Sequence, residues 1–182
     1  MKTIALFGGS FDPPHLGHKA VVDAALSNLD IDKVIIMPAY LNPFKSKVYA
    51  SPELRLKWLK EIFSAYSNVE VDDFELTCKR KVPSLETVRH LQDRYEKIYL
   101  IIGADNLKSL DKWYGYDELK KLVTFVVASR DEIKIPPEYL SLHVNEPVSS
   151  TDLRERVKKE FLPACVAGEI EKFYKETNWI KE

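Results

Sequence analysis

Short apolar runs alternate with longer stretches of helical periodicity along the whole chain. Runs of about five residues rich in Val, Ile, Leu and Phe predict strands, whereas apolar positions spaced three and four apart predict helices with one buried face. The runs predict strands at residues 3–7, 33–37, 69–73, 98–102 and 123–128, with a sixth candidate at 140–144. The helical pattern covers residues 16–29, 52–66, 84–95, 107–122, 151–161 and 163–174.

This alternation of strands and helices indicates an α/β fold. Strands that are apolar throughout and are separated by helices are typical of a parallel sheet that is covered on both faces. No repeat, low-complexity tract or long Gly/Ser linker interrupts the pattern. We therefore predict a single doubly wound domain over residues 1–182, which binds its ligand beyond the carboxyl ends of the strands.

Composition and charge narrow the possible functions. Lys and Arg total 27 and Asp and Glu total 28, which gives a net charge of −1 and argues against bulk binding to nucleic acid or a membrane surface. Cys78 and Cys165 form no CxxC pair, so neither a disulfide framework nor a zinc site is predicted. The apolar runs are too short for a signal peptide or a membrane span, so we expect a soluble, cytoplasmic protein.

The most informative segment is GGSFDPPHLGH at residues 8–18, between the first strand and the first helix. Gly8 and Gly9 allow the backbone to turn tightly and to approach a ligand. His15 and His18 are three residues apart at the helix start, so both imidazoles can face one ligand. The free N–H groups and the dipole of the helix N-terminus favour phosphate at the same place.

Two common nucleotide-binding patterns are missing from this segment. No GxxxxGK[ST] occurs in the chain, which excludes a Walker A loop. There is also no GxGxxG, and no acidic residue ends the second strand to hold a ribose, so a dehydrogenase is not indicated. The remaining alternative is an ordinary loop with one capping histidine and one surface histidine.

The segment GGSFDPPHLGH resembles the signature of the bacterial nicotinate-nucleotide adenylyltransferases, within the HxGH nucleotidyltransferase superfamily. The resemblance implies a Rossmann-like sheet of strand order 3-2-1-4-5, with strands 1 and 4 at the reversal point. It also implies adenylyl transfer from ATP to nicotinate mononucleotide, which gives nicotinate adenine dinucleotide and pyrophosphate. In that reaction His15 and His18 stabilise the transition state and the leaving group. The implied ATP contacts in this segment are Gly8, Gly9, Ser10 and Phe11.

A second block, IIGADNLKSLDKWYGYDEL at residues 101–119, follows the fourth predicted strand. It resembles the family's Gly-Ala-Asp segment followed by a Trp-Tyr pair. The resemblance implies that Gly103 and Asp105 lie against the ATP ribose and that Trp113 stacks on the pyridine ring of the acceptor. From the residues alone, Asp105 also fits a helix N-cap and Trp113 a core aromatic.

A third block, PVSSTDLRERV at residues 147–157, starts a predicted helix with hydroxyl side chains. Ser149, Ser150 and Thr151 with Arg154 just inside the helix are suited to an anion, and the family uses a matching segment for the triphosphate of ATP. We expect the last helices, from about residue 150 to 182, to close the ATP site. The alternative is a well-capped helix with no ligand.

The segment NPFK at residues 42–45 offers a further cation. Lys45 could reach the outer phosphates of ATP, with Lys47 as a nearby alternative, although either lysine could be merely solvated. The family usually has Pro-Pro-His-Lys here, so Phe44 replaces a histidine. No His/Cys/Asp cluster resembles a metal cage, so we expect Mg²⁺ to arrive with ATP.

The acceptor is predicted from the segment before the fourth strand. The family usually carries Pro-Ser-Tyr-Thr in its nicotinate pocket, whereas this chain has PSLET at residues 83–87. Backbone N–H groups at the helix start near Ser84 could receive a carboxylate, and Glu86 should then point to solvent. We expect nicotinate mononucleotide. The alternatives are nicotinamide mononucleotide, a phosphopantetheine adenylyltransferase, or a non-catalytic nucleotide sensor.

Overall fold

Six parallel strands form one sheet in the computed structural model, which describes residues 2–129 and 134–178. The strand order is β3-β2-β1-β4-β5-β6. The strands are β1 (Thr3–Gly9), β2 (Lys33–Pro38), β3 (Val69–Val71), β4 (Lys97–Gly103), β5 (Thr124–Ser129) and β6 (Leu140–His143). The predicted order 3-2-1-4-5 is therefore confirmed, and the sixth candidate strand extends the sheet beyond β5.

Seven α-helices connect and cover the strands within the described residues. They are α1 (Leu16–Asn28), α2 (Pro52–Ile62), α3 (Phe74–Thr77), α4 (Ser84–Gln92), α5 (Tyr116–Leu122), α6 (Ser150–Glu155) and α7 (Ala167–Asn178). Two 3₁₀ segments, Ala104–Lys112 and Lys159–Phe161, complete the connections. Among the residues that the structure describes, no helix is both long enough and apolar enough to cross a bilayer.

The sheet is buried on both faces because its strands are apolar at successive positions. In β1, Ala5 and Phe7 pack into a core with α1, α2, α6 and α7, whereas Ile4 and Leu6 pack into a second core with α4 and α5. Alternate residues of a strand point to opposite faces, so the two cores follow directly from the strand sequence. The predicted doubly wound α/β fold is confirmed.

The predicted helix at residues 107–122 is interrupted at Gly115. The segment Ala104–Lys112 is 3₁₀, and α5 starts only at Tyr116. Gly115 has a φ of 66°, and a Cβ there would lie 2.3 Å from Cδ2 of Leu85. The left-handed backbone and the close packing against α4 therefore divide the helix at a position that only glycine fits.

The last predicted helices are shorter than their apolar periodicity indicated. The helix predicted at residues 151–161 ends at Glu155, because Arg156 adopts an extended conformation. The helix predicted at 163–174 begins only at Ala167. Leu162 is extended ahead of Pro163, as the residue before a proline usually is, so no helix crosses this point. The smaller end differences are at α2, which stops at Ile62 rather than 66, at α4, which stops at Gln92 rather than 95, and at β3, which stops at Val71 rather than 73.

Candidate active site

The carboxyl ends of β1 and β4 lie side by side where the strand order reverses. β1 pairs with β2 on one side and with β4 on the other, and β1 ends at Gly9 while β4 ends at Gly103. The segments 8–18 and 101–119 therefore meet at one edge of the sheet. This is the place where doubly wound folds bind their ligands.

A pocket of about 190 Å³ opens at this edge. Its lining includes the predicted site residues Gly8, Gly9, Ser84, Gly103 and Trp113. Phe44 and Glu75 also line it. Among the described residues His15, His18 and Arg154 are not part of this lining. The structure thus brings one group of the predicted residues into the pocket and places the second group beside it.

His18 and Trp113, one from each group, lie on opposite faces of the sheet. His18 is in ring contact with Phe7 and Phe11, which belong to the core under α1. Trp113 packs against the other core, under α4 and α5. Gly8 and Gly9 at the end of β1 lie between the histidines and Trp113. A ligand that spans the end of β1 can therefore contact both.

His15 and His18 cap the N-terminus of α1 with their own side chains. Nδ1 of His15, the N-cap residue, accepts the backbone N–H of Gly17 at 3.1 Å. Nδ1 of His18 accepts the backbone N–H of His15 at 3.1 Å. The two rings stack with centroids 3.7 Å apart and an interplanar angle of 27°. These contacts fix the orientation of both imidazoles, which lie on the same face at the start of α1.

These hydrogen bonds also set the chemistry of the imidazoles. A neutral imidazole whose Nδ1 accepts a hydrogen bond carries its proton on Nε2, which makes Nε2 a donor. Gly17 makes the arrangement possible, since a Cβ there would lie 2.9 Å from Cε1 and Nδ1 of His15. The glycine thus leaves room for the His15 ring itself.

Ser10 and Phe11 connect β1 to the histidines. The ring of Phe11 is 1% exposed and lies edge-on to His18 at 4.8 Å, while its backbone has a φ of 49°. A Cβ on Gly9 would lie 3.1 Å from that ring. Phe11 can therefore contact ATP only through its backbone. Within the described residues the buried Oγ of Ser10 has no hydrogen-bond partner, so it can still bind a ligand.

Asp12 ties this loop to later parts of the chain. Its carboxylate accepts the backbone N–H of Tyr49 at 2.8 Å and of Ala50 at 3.0 Å, as well as the hydroxyl of Tyr174. Its carbonyl accepts Nη1 of Arg154 at 2.6 Å. Burial, and then the charge of Asp12, raise the pKa of Tyr174. This role of Asp12 was not predicted, although the residue lies within the segment at 8–18.

Arg55 is a second residue that the sequence analysis missed. Its guanidinium is completely buried and donates to four carbonyl oxygens, those of Ser10 (2.6 Å), Ala39 (2.8 Å), Ala50 (3.1 Å) and Tyr40 (3.1 Å). Burial lowers the pKa of Arg55, while the charge of Asp12 raises it. A signal was present in the sequence, because Arg55 falls on the apolar stripe of α2.

The third block docks on the first loop. Ser149 caps α6 by accepting the N–H of Asp152 at 3.1 Å, and Oγ of Ser150 donates to the carbonyl of Pro13 at 2.9 Å. Nη2 of Arg154 donates to Oγ1 of Thr151 at 3.0 Å. The guanidinium carbon of Arg154 also lies 5.4 Å from the ring centroid of Tyr49. The start of α6, with its hydroxyl side chains, and Arg154 are thus held next to the loop at residues 8–18, which we call the histidine loop.

Lys45 is exposed in the loop after β2. Partial desolvation lowers the pKa of its amine, and the positive charge of Arg154 lowers it further. Lys45 and Arg154 repel each other, and an anion bound near both side chains would offset this repulsion. The alternative cation, Lys47, lies over the ring of Tyr49 at 4.9 Å. The structure therefore brings Lys45 within the electrostatic range of Arg154.

The second block places Gly103 and Trp113 in the pocket and Asp105 at its edge. A Cβ on Gly103 would lie 2.6 Å from Oδ1 of Asp105, so the carboxylate covers the glycine. Gly103 is itself the N-cap of the 3₁₀ segment, and Asp105 makes no cap hydrogen bond. Trp113 lines the pocket, and its Nε1 is buried without a partner among the described residues. Asp105 is therefore not the N-cap that the sequence offered as an alternative.

Ser84 lies at the start of α4, beside a buried carboxyl group. The helix has no side-chain N-cap, and Ser84 lines the pocket. Glu75 is 8% exposed, and one carboxyl oxygen accepts the hydroxyl of Thr87 at 2.6 Å. Burial raises the pKa of Glu75 to about 7. Glu86 instead pairs with Arg80 at the surface, which agrees with the predicted outward orientation.

In the ranges 2–129 and 134–178, no three or more His, Cys, Asp or Glu side chains are grouped to hold a metal ion. Cys78 and Cys165 are both free.

A protein-family model matches most of the chain. Residues 6–156 match the family described as cytidylyltransferase-like. The matched region includes the loop at residues 8–18, the second block and most of the third, so it covers all of the predicted site residues.

Relatives match over almost the whole chain. A protein of Sulfurimonas denitrificans, named "probable nicotinate-nucleotide adenylyltransferase", is 58% identical over 97% of this chain and 97% of its own length. A protein of Nitratiruptor sp. with the same name is 52% identical over 94% of this chain and 98% of its own length. A solved structure of Plasmodium falciparum nicotinic acid mononucleotide adenylyltransferase complexed with NaAD is 20% identical. It covers 98% of this chain and 97% of that chain with a TM-score of 0.75, and it supports the fold.

Proposed function

Because this chain belongs to the nicotinate-nucleotide adenylyltransferases within the cytidylyltransferase-like family, we propose that it transfers the adenylyl group of ATP to nicotinate mononucleotide. The products are nicotinate adenine dinucleotide and pyrophosphate. The observation that carries the proposal is the pair of stacked histidines that cap the start of α1. They lie next to a pocket lined by Gly8, Gly9 and Trp113.

The reaction joins two ligands across the end of β1. A phosphate oxygen of the mononucleotide attacks the α-phosphorus of ATP in line. The bond from that phosphorus to the bridging oxygen of pyrophosphate breaks, and no covalent enzyme intermediate forms. Gly8 and Gly9 present backbone without side chains, so the reacting phosphates can come close to the strand end. The protein acts mainly by positioning the reactants and neutralising charge.

His15 and His18 serve as donors to the phosphate oxygens. Since each Nδ1 is used to cap α1, the Nε2–H groups are the donors that the rings offer to a ligand. Donors fixed before the reaction starts stabilise the developing charge without reorganising. The free N–H groups of the α1 N-terminus favour the same negative charge.

Lys45, Arg154 and the Ser149–Thr151 segment hold the outer phosphates of ATP, and α6 and α7 close this side of the site. The mutual repulsion of Lys45 and Arg154 supports this assignment. Ser10 contributes its buried hydroxyl, and Gly103 and Asp105 lie against the ribose. ATP would bring Mg²⁺ with it, and this ion would neutralise charge on the triphosphate, whose oxygens are the hard ligands that Mg²⁺ prefers.

The acceptor occupies the pocket on the α4 side. Trp113 stacks on the pyridine ring, and the uncapped backbone N–H groups at Ser84 receive the carboxylate. An amide in place of the carboxylate would turn its own N–H₂ toward these donors, which is costly for a buried group. The site therefore favours the nicotinate form over the nicotinamide form.

A comparison of acceptors tests this function. Purified protein, ATP and Mg²⁺ are mixed with nicotinate mononucleotide, nicotinamide mononucleotide or phosphopantetheine, and pyrophosphate release is followed. We expect the highest kcat/KM with nicotinate mononucleotide. An equal or higher value with the nicotinamide form would overturn the acceptor assignment, and transfer to phosphopantetheine alone would overturn the function.

A further inference from the structure

Phe44 is an exposed aromatic side chain at the edge of the acceptor pocket. It is 65% exposed, although the aromatic rings of most phenylalanines are buried. Its ring centroid lies 6.3 Å from that of Trp113, with the ring planes inclined by 39°. Both residues line the same pocket. An exposed phenylalanine that faces a tryptophan across a pocket suggests that something flat binds between them.

The distance between the two rings fits one aromatic ring. Carbon atoms in contact lie about 3.5 Å apart, so two parallel walls around one flat ring need centroids about 7 Å apart. The observed 6.3 Å requires an opening of less than about 1 Å, together with a rotation that brings the rings parallel. A side chain with two χ angles can make this adjustment without moving the backbone.

The turn that carries Phe44 is fixed by hydrogen bonds on both sides. Oδ1 of Asn42 accepts the backbone N–H of Phe44 at 2.9 Å, and the carbonyl of Asn42 accepts the N–H of Lys45 at 2.9 Å. Nζ of Lys81 donates to the carbonyl of Pro43 at 3.1 Å. The ring of Phe44 is thus held at the pocket, while the next side chain, Lys45, comes under the influence of Arg154.

We propose that Phe44 is the second wall of an aromatic clamp, which with Trp113 holds the pyridine ring of the acceptor between two ring faces. This inference rests on the proposed function and assigns a specificity role to the residue that replaces the histidine expected at this position. The pyridine ring of a mononucleotide is N-substituted and positively charged, so both ring faces attract it. The turn at residues 42–45 then contacts both substrates, since Phe44 holds the acceptor and Lys45 holds ATP.

Substitutions of Phe44 in the full chain test the clamp. Phe44→Leu keeps an apolar side chain without a ring face, Phe44→Ala removes the wall, and Phe44→Tyr keeps the ring. Leu140→Ala, at an exposed apolar residue of β6, is the matched control. KM for nicotinate mononucleotide and for ATP is measured from pyrophosphate release, and each variant is first compared with the wild type by thermal melting.

The clamp predicts an effect on one substrate only. Phe44→Leu and Phe44→Ala should raise KM for the acceptor roughly fivefold to twentyfold, in line with the usual contribution of ring stacking, and should leave KM for ATP within about twofold. Phe44→Tyr should lie closer to the wild type, and Leu140→Ala should match it. An unchanged acceptor KM in the Leu and Ala variants, or a rise in KM for ATP instead, would overturn the clamp and leave adenylyl transfer intact.

A binding measurement separates the clamp from catalysis. Stacking on Trp113 should quench tryptophan fluorescence when nicotinate mononucleotide is added without ATP, and Phe44→Leu should need several times more ligand for the same quenching. Equal quenching curves for the two proteins would contradict the clamp. If the wild type binds the acceptor but forms no dinucleotide with ATP and Mg²⁺, the proposed function fails and the binding result still decides the clamp.

Discussion

His18 has a structural contact and, in the proposed reaction, a chemical one. Nδ1 accepts the backbone N–H of His15, and we propose that Nε2–H donates to the phosphate. His18→Ala should lower kcat by roughly 10²–10³, which is the usual loss when one transition-state donor is removed. Single-turnover rates measure the effect, with His143→Ala on the exposed edge strand as the control. Activity within about threefold of the wild type, a margin well below that loss, would show that His18 is no donor to the reaction.

Arg154 should act on ATP rather than on the acceptor. It lies against the histidine loop through the carbonyl of Asp12 and repels Lys45. Arg154→Ala should raise KM for ATP by about tenfold and KM for the acceptor much less, since a charge-assisted contact contributes roughly 1.5 kcal/mol or more. Arg154→Lys should recover little, because an ammonium cannot reproduce the guanidinium fork. Arg156→Ala is the control, and an unaltered KM for ATP in Arg154→Ala would assign it a purely structural role.

Glu75 should make stability depend on pH. Burial raises the pKa of its carboxyl from 4.5 to about 7, nearby Glu86 and Asp72 add to the shift, and the hydrogen bond from Thr87 opposes it. The folded protein therefore holds this proton to higher pH than the unfolded chain does. From pH 4.5 to about 7 this group lowers the free energy of unfolding as pH rises, by up to about 3 kcal/mol, and the cost is constant above that range.

Glu75→Gln keeps an acceptor for Thr87 but cannot ionise, so it should remove this pH dependence. Urea unfolding at pH 5 and pH 8 measures it, and the variant should gain most at pH 8. Glu169→Gln, at an exposed residue paired with Lys57, serves as the control. If Glu75→Gln loses as much stability between the two pH values as the wild type, Glu75 is not the group that titrates.

At the scale of elements, Arg55 of α2 holds together two loops, the one after β1 and the one after β2. Its guanidinium is the donor for four carbonyl oxygens, so a shorter or uncharged side chain leaves buried acceptors unpaired. Arg55→Lys should lower the free energy of unfolding by about 2–4 kcal/mol, because a single ammonium cannot reach all of them. Denaturant unfolding gives the value, and Arg89→Lys, which alters an exposed pair with Glu118, should cost less than about 1 kcal/mol. A similar loss in both variants would contradict this role.

Elements were predicted well from the sequence where the pattern is local. The β1 and α1 segments have clear apolar periods and end at turn residues, so their positions were close to the observed ones. The break at Gly115 was missed because its left-handed backbone depends on packing against Leu85. The convergence of four carbonyls on Arg55 also depends on how separate loops meet, which no local pattern encodes.

For the molecule as a whole, Tyr174 connects the last helix to the first loop. Its buried hydroxyl donates to the carboxylate of Asp12. Tyr174→Phe removes this bond and leaves the ring in place, so it should lower the free energy of unfolding by roughly 1.5–3 kcal/mol, the range for a hydrogen bond to a charged group. Thermal or urea unfolding measures the loss. Tyr114→Phe, at a residue that is 72% exposed, is the control. Equal stability of the two variants would show that the hydrogen bond between Tyr174 and Asp12 does not stabilise the fold.

The site as a whole was predicted only in part. The motif blocks placed the histidines, Gly103 and Trp113 at the carboxyl edge of the sheet, where the structure also has them. Ser84, predicted from the helix start alone, lines the same pocket. The shared use of Nδ1 atoms for capping was not predicted, because it depends on side-chain rotamers. Glu75 was missed since a single glutamate in a polar segment gives no sign of burial.

The bonds to Asp12 determine when during synthesis the site can form. The partners of Asp12 include Arg154, 142 residues further along, and Tyr174, 162 residues further along. While a ribosome is still making the chain, the first four strands can emerge and pair before either partner exists. The loop that carries the histidines is therefore held only by its bonds to residues around Ala50 and Arg55 until residue 174 has left the exit tunnel. A nascent chain would acquire its sheet early and its capacity for adenylyl transfer only at the end.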